Sequence, residues 1–420
     1  MSSFGVAIIY LTLLLACSGS GGGGTSGGGS GGSGSGPTGK LGPAIAYSTN
    51  GLHLLQVAVE DLNGDGRKDV VTFSDWSFGP QMVAIYYQDS TGKFGTVATF
   101  NASALFSFVH LQRIAVGDVN NDGRADLVLT GECSGCLVGF QGKVVVLYQD
   151  PVSGDMLPGP SLTVSANSVG NAAIADIDSD GRNDLLMVTQ EGKLSIFYQS
   201  QNGGLGPEVI YDKGTGFLRG ELHVADIDHD GDNDIVVQSG LKQFEIIKQN
   251  STTVPGILVD TPEYYDVQTT YWPQFDAFAV GDLNGDGKND VVALDPGNNG
   301  TMNVFLQNNG GTLDPPILSV PFFAPPYGVE ITDINGDGLN DILGDQVNPG
   351  VPAMGSVYVL YQAVNHTFQN PIAYSFPTIS GGGSIEHQAL AVGDITGDGK
   401  PDAVMTWQDE GLFVLPNISS

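Results

Sequence analysis

Short apolar runs, rich in β-branched and aromatic residues, recur along the chain and are separated by polar segments that contain glycine. In the first period these runs are residues 56–60, 70–73, 83–88 and 95–100. Runs of this length between Gly, Asn and Asp residues are typical of β-strands. No segment has a convincing 3.6-residue periodicity, so we expect almost no helix. The pattern therefore predicts four strands in each period.

A nine-residue acidic pattern, Asp-x-Asn/Asp-x-Asp-Gly-x-x-Asp, follows the first strand of each period and has Thr at its third position in the last copy. Successive copies are offset by 50 to 61 residues. The seven copies begin at Asp61, Asp118, Asp176, Asp226, Asp282, Asp333 and Asp394. Repeats of this length with four strands each are typical of a ring of radially arranged sheets. We therefore predict an all-β fold, a seven-bladed β-propeller of four-stranded antiparallel blades.

The two ends of the chain predict how the ring closes. The last period stops after its third strand, residues 412–415, and has no fourth strand. A spare strand lies at the other end, because residues 40–47 resemble residues 204–211, the fourth strand of the third period. We therefore expect the N-terminal strand to complete the last blade and to protect the edges of an otherwise open ring.

Each acidic pattern has the composition of a calcium-binding loop. Side chains at positions one, three and five place their oxygens inside one curl, and the Asp at position nine closes the cage. Ca²⁺ takes six to eight oxygen ligands, and the seventh position varies in type as expected if it supplies only a backbone carbonyl. The predicted ligands of up to seven Ca²⁺ ions are Asp61, Asn63, Asp65, Arg67, Asp69, Asp118, Asn120, Asp122, Arg124, Asp126, Asp176, Asp178, Asp180, Arg182, Asp184, Asp226, Asp228, Asp230, Asp232, Asp234, Asp282, Asn284, Asp286, Lys288, Asp290, Asp333, Asn335, Asp337, Leu339, Asp341, Asp394, Thr396, Asp398, Lys400 and Asp402.

Two other positions of the pattern are restricted to one type of residue. The sixth residue is always Gly, as expected for a sharp turn with positive φ, and the second is always aliphatic, which predicts an anchor in a core. Because more carboxylates bind Ca²⁺ more tightly, the loops that begin at Asp176 and Asp226 should be the strongest. The loop with Thr396 should be the weakest.

Two other structures could in principle account for the acidic pattern. Metal-free Asx turns at the surface would use the same residue types. Such turns would not require the whole nine-residue acidic pattern to recur in all seven periods. An EF-hand would need Glu at the twelfth position, where the first two copies have Thr72 and Leu129, and its flanks would be helical.

The repeats resemble FG-GAP/VCBS repeats, the family that includes the propeller head of integrin α-subunits. The resemblance covers about residues 40–417 and is carried by the seven acidic loops. It implies a propeller fold and calcium binding. It does not imply one activity, because such propellers serve as adhesins, lectin-like modules and accessory domains of enzymes, and a fold does not fix a function.

The N-terminal segment predicts export and anchoring. Residues 1–17 read as a signal peptide whose last residues, Leu14-Leu15-Ala16-Cys17, resemble a lipobox with a lipidated Cys17. The segment has no Lys or Arg, and Leu15 stands where a small residue is usual, so a plain signal peptide or a misassigned start remains the alternative. Residues 18–36 are nearly all Gly and Ser and predict a flexible tether.

Residues 37–420 are then one propeller domain, extracytoplasmic and lipid-anchored to the cell envelope, at the outer membrane or cell surface. The net charge is −31, from 46 acidic and 15 basic residues, and 23 of the acidic residues lie at the four side-chain positions of the loops. The acidity is therefore largely a property of the calcium loops. It argues against a nucleic-acid partner, whose binding needs Lys and Arg on the phosphates, and we expect a monomer.

Cys133 and Cys136 form a Cys-Ser-Gly-Cys sequence between the second and third strands of the second period. Outside the cytosol we expect a local disulfide. A redox pair would normally stand at a helix start, and a structural zinc site would need four ligands.

Aromatic residues predict a ligand-binding face. The acidic loops share one face of the ring with the turns between third and fourth strands, so the other connections lie on the opposite face. Trp76, Trp272 and Trp407 fall in or beside these connections and are the candidate ligand-binding residues for a glycan or protein. The alternative is that these rings cap the blade cores.

We expect no enzyme activity, because the histidines form no catalytic or metal-binding spacing. His53, His110, His223 and His387 precede first strands, and some of them could approach the ring axis. A polysaccharide lyase or hydrolase and a structural envelope component are the two alternative functions.

Overall fold

Seven antiparallel sheets of four strands each follow one another along the chain and form a closed ring. The computed structural model describes residues 40–49, 51–74, 79–106, 108–134, 140–212, 221–240, 242–249, 258, 261–267, 277–295, 301–321, 328–348, 354–377, 389–407 and 411–419. Within these ranges, no helix is long and apolar enough to span a membrane. The fold is the predicted seven-bladed β-propeller.

The blades are numbered in chain order. Blade 1 contains β2 (Leu54–Glu60), β3 (Asp69–Ser74), β4 (Met82–Gln88) and β5 (Phe94–Asn101). Blade 2 contains β6 (Phe108–Gly117), β7 (Asp126–Ser134), β8 (Phe140–Gln149) and β9 (Met156–Thr163). Blade 3 contains β10 (Val169–Ala175), β11 (Asp184–Thr189), β12 (Leu194–Phe197) and β13 (Val209–Tyr211). Blade 4 contains β14 (Leu222–Ala225), β15 (Asp234–Ser239), β16 (Gln243–Ile247) and β17 (Glu263–Asp266).

The remaining blades have the same order of strands. Blade 5 contains β18 (Ala277–Gly281), β19 (Asp290–Asp295), β20 (Thr301–Phe305) and β21 (Ile317–Pro321). Blade 6 contains β22 (Val329–Thr332), β23 (Asp341–Asn348), β24 (Met354–Leu360) and β25 (Ile372–Pro377). Blade 7 contains β26 (Leu390–Gly393), β27 (Asp402–Trp407), β28 (Gly411–Leu415) and β1 (Ile45–Tyr47). The one helix among the described residues is α1 (Ala102–Phe106), so the expectation of almost no helix is confirmed.

The N-terminal strand closes the ring as predicted. β1 pairs antiparallel with β28, with Ile45 opposite Val414 and Tyr47 opposite Leu412. Upstream of β1, Leu41 forms an antiparallel bridge with Asn417 and is 5% exposed. These contacts give blade 7 its fourth strand from the other end of the described chain.

Each hydrophobic core lies between two neighbouring blades. The cluster that contains Leu54 and Val57 of blade 1 also contains Val404 and Val414 of blade 7, so the first and last blades share a core. The aliphatic residues at the second loop position enter seven different cores, which confirms their predicted role as anchors. They are Leu62, Val119, Ile177, Ile227, Leu283, Ile334 and Ile395.

Glu245 is a buried carboxyl group on β16 that belongs to no acidic loop and is 0% exposed. Burial raises the pKa of Glu245 to about 7 from 4.5, and the hydroxyls of Ser239 and Tyr264 offset part of this effect. Because the folded-state pKa is above the unfolded value, the folded protein binds the extra proton between these two pH values. Stability is therefore lost as the pH rises through about 7.

Replacing Glu245 by Gln is expected to stabilise the protein at alkaline pH only. At pH 8 the free energy of unfolding should rise by on the order of 2 kcal/mol, because the neutral amide needs no buried charge. At about pH 4 the variant and the parent should be nearly equal, since Glu245 is then protonated in both states. Thermal unfolding at the two pH values measures the difference, and an equal offset at both would contradict this account.

Candidate functional site

The seven acidic loops join the first strand of each blade to the second. In blade 1 the loop follows Glu60, and its ninth residue, Asp69, is the first residue of β3. The residue before each loop pairs with the ninth Asp in every blade, as Glu60 does with Asp69. The loops therefore have one length and one register, and they lie on one face of the ring.

The first Asp of each loop organises the backbone of the curl. Asp61 Oδ1 accepts the N–H of Gly64 at 2.7 Å, and Asp61 Oδ2 accepts the N–H of Gly66 at 2.7 Å. The sixth-position bond recurs in every loop. Gly66 has a φ of 82°, and all seven sixth-position glycines have positive φ, as predicted.

The fourth loop position is also left-handed, which the sequence pattern did not indicate. Its φ is positive in all seven loops, although three of the residues have a Cβ: Asn121 at 61°, Ser179 at 57° and His229 at 62°. Asn and His adopt this conformation more often than most residues do, whereas Ser does not share that preference. The N–H groups of the two residues that follow Ser179 and His229 donate to the first Asp of their loops and hold the backbone there.

The ninth Asp is buried and connects the loop to the third strand of its blade. Asp69 Oδ2 accepts the N–H of Leu62 at 3.0 Å, and Asp69 Oδ1 accepts the N–H of Gln88 at 2.8 Å. The bond to the end of the third strand recurs in all seven blades. This residue therefore has a structural role in addition to its predicted role as a metal ligand.

These buried carboxylates are electrostatically unfavourable on their own. Burial raises the pKa of Asp69, Asp126, Asp234 and Asp341 to about 7 and that of Asp184 and Asp290 to about 6. Burial also raises the pKa of Asp402. The two N–H donors act in the opposite direction, and nearby loop carboxylates raise the pKa further in all but Asp402. A cation beside the ninth Asp would neutralise this charge.

Two loops bring three carboxylates close enough to share an ion. Oxygens of Asp176, Asp178 and Asp184 lie within 4.8 Å of one another. The same holds for Asp226, Asp228 and Asp234. Two oxygens bound to one Ca²⁺ at about 2.3–2.6 Å can be at most about 5 Å apart, so both groups fit this ion.

The fifth-position carboxylates stand outside these two groups and contact the seventh residue instead. Asp180 is paired with Arg182, and Asp65 is paired in the same way with Arg67. In blade 5, Lys288 Nζ is 3.7 Å from Asp286 Oδ2. In the loops that begin at Asp176 and Asp226, the structure therefore brings the carboxylates of positions one, three and nine together, while the ligand role of the fifth position stays a prediction.

Side-chain amides connect the loops of neighbouring blades. The eighth loop residue is Asn in four blades, and its Nδ2 donates to the carbonyl of the first Asp in the preceding loop. The four bonds are Asn183 to Asp118 at 3.2 Å, Asn233 to Asp176 at 2.8 Å, Asn289 to Asp226 at 2.9 Å and Asn340 to Asp282 at 3.0 Å. Gln149 at the end of β8 donates similarly to the carbonyl of Asp61. The repeated Asn and Gln are visible in the sequence, but only the contacts between blades show that these residues connect neighbouring loops.

The predicted ligand-binding aromatic residues are only partly described. Trp76 and Trp272 lie outside the described residues, so their roles stay predictions. Trp407 is 0% exposed, and its ring packs edge-on against Phe376 at 6.1 Å. The prediction that Trp407 binds a surface ligand is therefore wrong, and this ring belongs to the core between blades 6 and 7.

Other predicted residues are also placed. Cys17, Cys136 and His387 lie outside the described residues, as does the side chain of Cys133 on β7. His110 and His223 lie within first strands rather than before them. His223 lines the central channel of the ring, as the sequence allowed for some histidines.

Comparison with known proteins identifies the repeats. The family described as FG-GAP-like repeat matches residues 61–129, 139–237 and 282–344, more than half of the chain. No curated protein sequence matches.

Solved structures share the fold. The crystal structure of BBS1N in complex with ARL6DN, soaked with lead, covers 90% of this chain and 97% of its own, with a TM-score of 0.55 and 12% identity. The crystal structure of BBS1N in complex with ARL6DN, soaked with mercury, covers 91% and 99%, with a TM-score of 0.56 and 11% identity. At these identities the likeness concerns the fold alone.

Proposed function

Because this chain belongs to the FG-GAP-like repeat family, we propose that it is a calcium-stabilised binding propeller that recognises a glycan or protein through the face opposite the acidic loops. In this proposal the chain is exported, and lipidated Cys17 with the tether of residues 18–36 attaches it to the cell envelope. It acts as a monomer and has no catalytic role. Turnover of an acidic polysaccharide by the purified chain would contradict the last point.

The proposal rests on one observation: the acidic side chains of the loops accept hydrogen bonds from their own hairpin and blade. Asp61 and Asp69 direct their oxygens to backbone N–H groups of their own hairpin and blade. Turns of neighbouring blades pack closely on the loops, since a Cβ on Gly154 would lie 2.7 Å from the carbonyl oxygen of Asn63. The first and ninth Asp side chains are thus engaged within their own blade, which favours recognition on the other face.

The connections on the opposite face support this assignment. Every acidic loop has eight residues between its strands, as at 61–68, whereas the inter-blade connections range from residues 164–168 to residues 378–389. Connections that differ in length are typical of recognition surfaces on a constant scaffold. The likeness to BBS1N, crystallised in complex with ARL6DN, agrees with a protein-binding propeller in general.

A binding screen against glycans and surface proteins, with and without calcium, tests the proposal. Retention of a ligand in calcium should fall by at least about tenfold in the variant Trp76→Ala/Trp272→Ala, because buried aromatic anchors contribute most of the binding energy of an interface. Its thermal transition should stay in place.

Exposed apolar residues on the loop face provide the matched control. Val152 and Val364 are 93% and 88% exposed in turns between third and fourth strands. The variant Val152→Ala/Val364→Ala should retain the ligand fully. Equal loss in both variants, or loss only in the control, would refute recognition by the opposite face.

A further inference from the structure

A cavity of about 310 Å³ lies where blade 5 meets blade 6, beside the acidic loop that begins at Asp282. Its walls are mostly apolar, with Leu306, Ile317 and Phe368 among the lining residues. Ile317 is 56% exposed, so part of the wall faces solvent. None of the described residues that line the cavity is Asp, Glu, Lys or Arg. The cavity has the size of a small ligand pocket, and its lining favours an uncharged ligand.

The side chain of Leu306 is smaller than the one that most blades have at the same position. Leu306 precedes Gln307, whose N–H donates to the ninth Asp of the loop. Four other blades have Tyr at this position, and each Tyr packs against the core that its blade shares with the next one. They are Tyr87, Tyr148, Tyr198 and Tyr361. Blade 5 therefore lacks a phenol ring that these four blades place beside their neighbour.

The turn between β24 and β25 has His366 at a position that is Gly in other blades. His366 has a φ of 58° and donates its N–H to the carbonyl three residues earlier, as Gly203 does. Gly adopts this conformation at a lower cost than His. A Cβ on Gly203 would overlap the carbonyl oxygen of Asn120 in the loop of the preceding blade. His366 instead lies against Gly285 of the preceding loop, where a Cβ would be 2.5 Å from His366 Cε1. The side chain of His366 thus occupies a junction where other turns have none.

Two polar groups stand beside the apolar walls. His366 and Thr367 both line the cavity. Among the described residues, the His366 imidazole has no hydrogen-bond partner. Thr367 Oγ1 donates to Asn365 Oδ1 at 2.8 Å, so its oxygen can still accept a bond. Together these groups can donate to a ligand hydroxyl and accept from it.

We infer that this cavity binds a small, uncharged aromatic molecule with a hydroxyl group, that is, a free phenol. The ring lies against Leu306 and Phe368, in the place of the Tyr ring that four other blades have, and the hydroxyl bonds to His366 and Thr367. Aromatic pairs such as a phenol and Phe368 pack favourably. A carboxylate ligand is disfavoured, because the net charge is −31 and the described lining has no basic residue other than His366. This site lies on the face of the acidic loops and is separate from the recognition face proposed above.

Titration of the full chain with p-cresol in calcium-containing buffer tests the inference by calorimetry. One bound molecule per chain is expected, with a Kd of roughly 1 mM or lower, which a ligand of this size can reach. The free amino acid analogue N-acetyltyrosinamide should bind more weakly, because its peptide groups have no place in a cavity of about 310 Å³.

Two variants restore the residues of the other blades. Leu306→Tyr should lower the affinity for p-cresol by at least about tenfold, because the new ring takes the space of the ligand. His366→Gly should lower it by about threefold or more, because the bond from the imidazole is lost. The midpoint of thermal unfolding should not fall in His366→Gly, since Gly adopts a positive φ freely.

The control removes an exposed apolar residue from another blade. Leu157 on β9 is 47% exposed and does not line the cavity, so Leu157→Ala should bind p-cresol as the parent does. Unchanged binding in either Leu306→Tyr or His366→Gly would overturn the inference, as would no binding at about 5 mM p-cresol. Tighter binding of N-acetyltyrosinamide than of p-cresol would contradict a free phenol and assign the cavity to a Tyr side chain of a protein.

Discussion

Removing calcium from the purified chain is expected to lower the midpoint of thermal unfolding by roughly 10 °C or more. Extracellular calcium modules bind with Kd values of about 10⁻⁴–10⁻³ M, so a few millimolar calcium would stabilise each site by roughly 1–2 kcal/mol. Seven such sites are predicted in one ring. Burial disfavours the charged form of the ninth Asp, as its raised pKa indicates. Without the ion, no positive charge offsets this cost.

Differential scanning calorimetry with chelator, and then with calcium or magnesium restored, measures this effect. Calcium should restore the transition more fully than magnesium, because Mg²⁺ demands a near-ideal octahedron of ligands whereas Ca²⁺ tolerates irregular geometry. The matched control is the parent protein with chelator already saturated by calcium, which should melt as the untreated protein does. A transition that chelator leaves in place would mean that the loops are stable Asx turns without metal.

Deleting residues 40–47 is expected to open the ring and destabilise the whole propeller. β28 would lose its partner β1, and Leu41 would leave the core between blades 6 and 7. Tyr47 would also leave Phe94, whose ring lies 4.7 Å away on blade 1. The exposed edge of β28 would then pair with other chains, so we expect a lower unfolding midpoint and soluble oligomers or aggregates.

Size-exclusion chromatography and thermal unfolding measure this outcome. A chain that lacks only residues 1–36 is the matched control and should behave as the full chain does. A synthetic peptide of residues 40–47 should restore the transition of the shortened chain, since it can pair with β28 in trans. An unaltered monomer with an unaltered midpoint would contradict closure by β1.

The strands and loops were predictable because each rests on local chemistry. The run before Asp61 and the run after Asp69 are β-branched and apolar, and the loop between them carries its own turn residues. Closure was predictable for another reason: the last blade lacked a strand, and residues 40–47 matched a fourth strand elsewhere.

Exposure on the second strands was not predictable. β27 is buried at every position, because a strand in the middle of a blade has a neighbouring blade on each side. The alternation of apolar and polar residues therefore does not indicate whether the Trp407 side chain is exposed or buried. Its pocket depends on Gly355 of blade 6, where a Cβ would lie 2.2 Å from the Trp407 ring. Such a contact joins residues that are distant in sequence.

The nearness of His223 and Glu330 in the central cavity was equally hidden from the sequence. His223 and Glu330 belong to different blades, and only the ring brings them to one level. Aligning the first strands on their acidic loops would have shown two polar residues at a position that is otherwise Ala. The alignment shows that the two residues have equivalent positions on their strands. Only the closed ring shows that they line the same cavity.

Native mass spectrometry of calcium binding tests the central claim, that metal ions in the acidic loops stabilise the blades. The account predicts seven bound calcium ions per chain at saturation. The loops that begin at Asp176 and Asp226 should fill first, the loop that begins at Asp394 should fill last, and Asp226→Asn should remove one ion. A chain that stays folded and binds no calcium at about 5 mM, well above the Kd of extracellular sites, would contradict it.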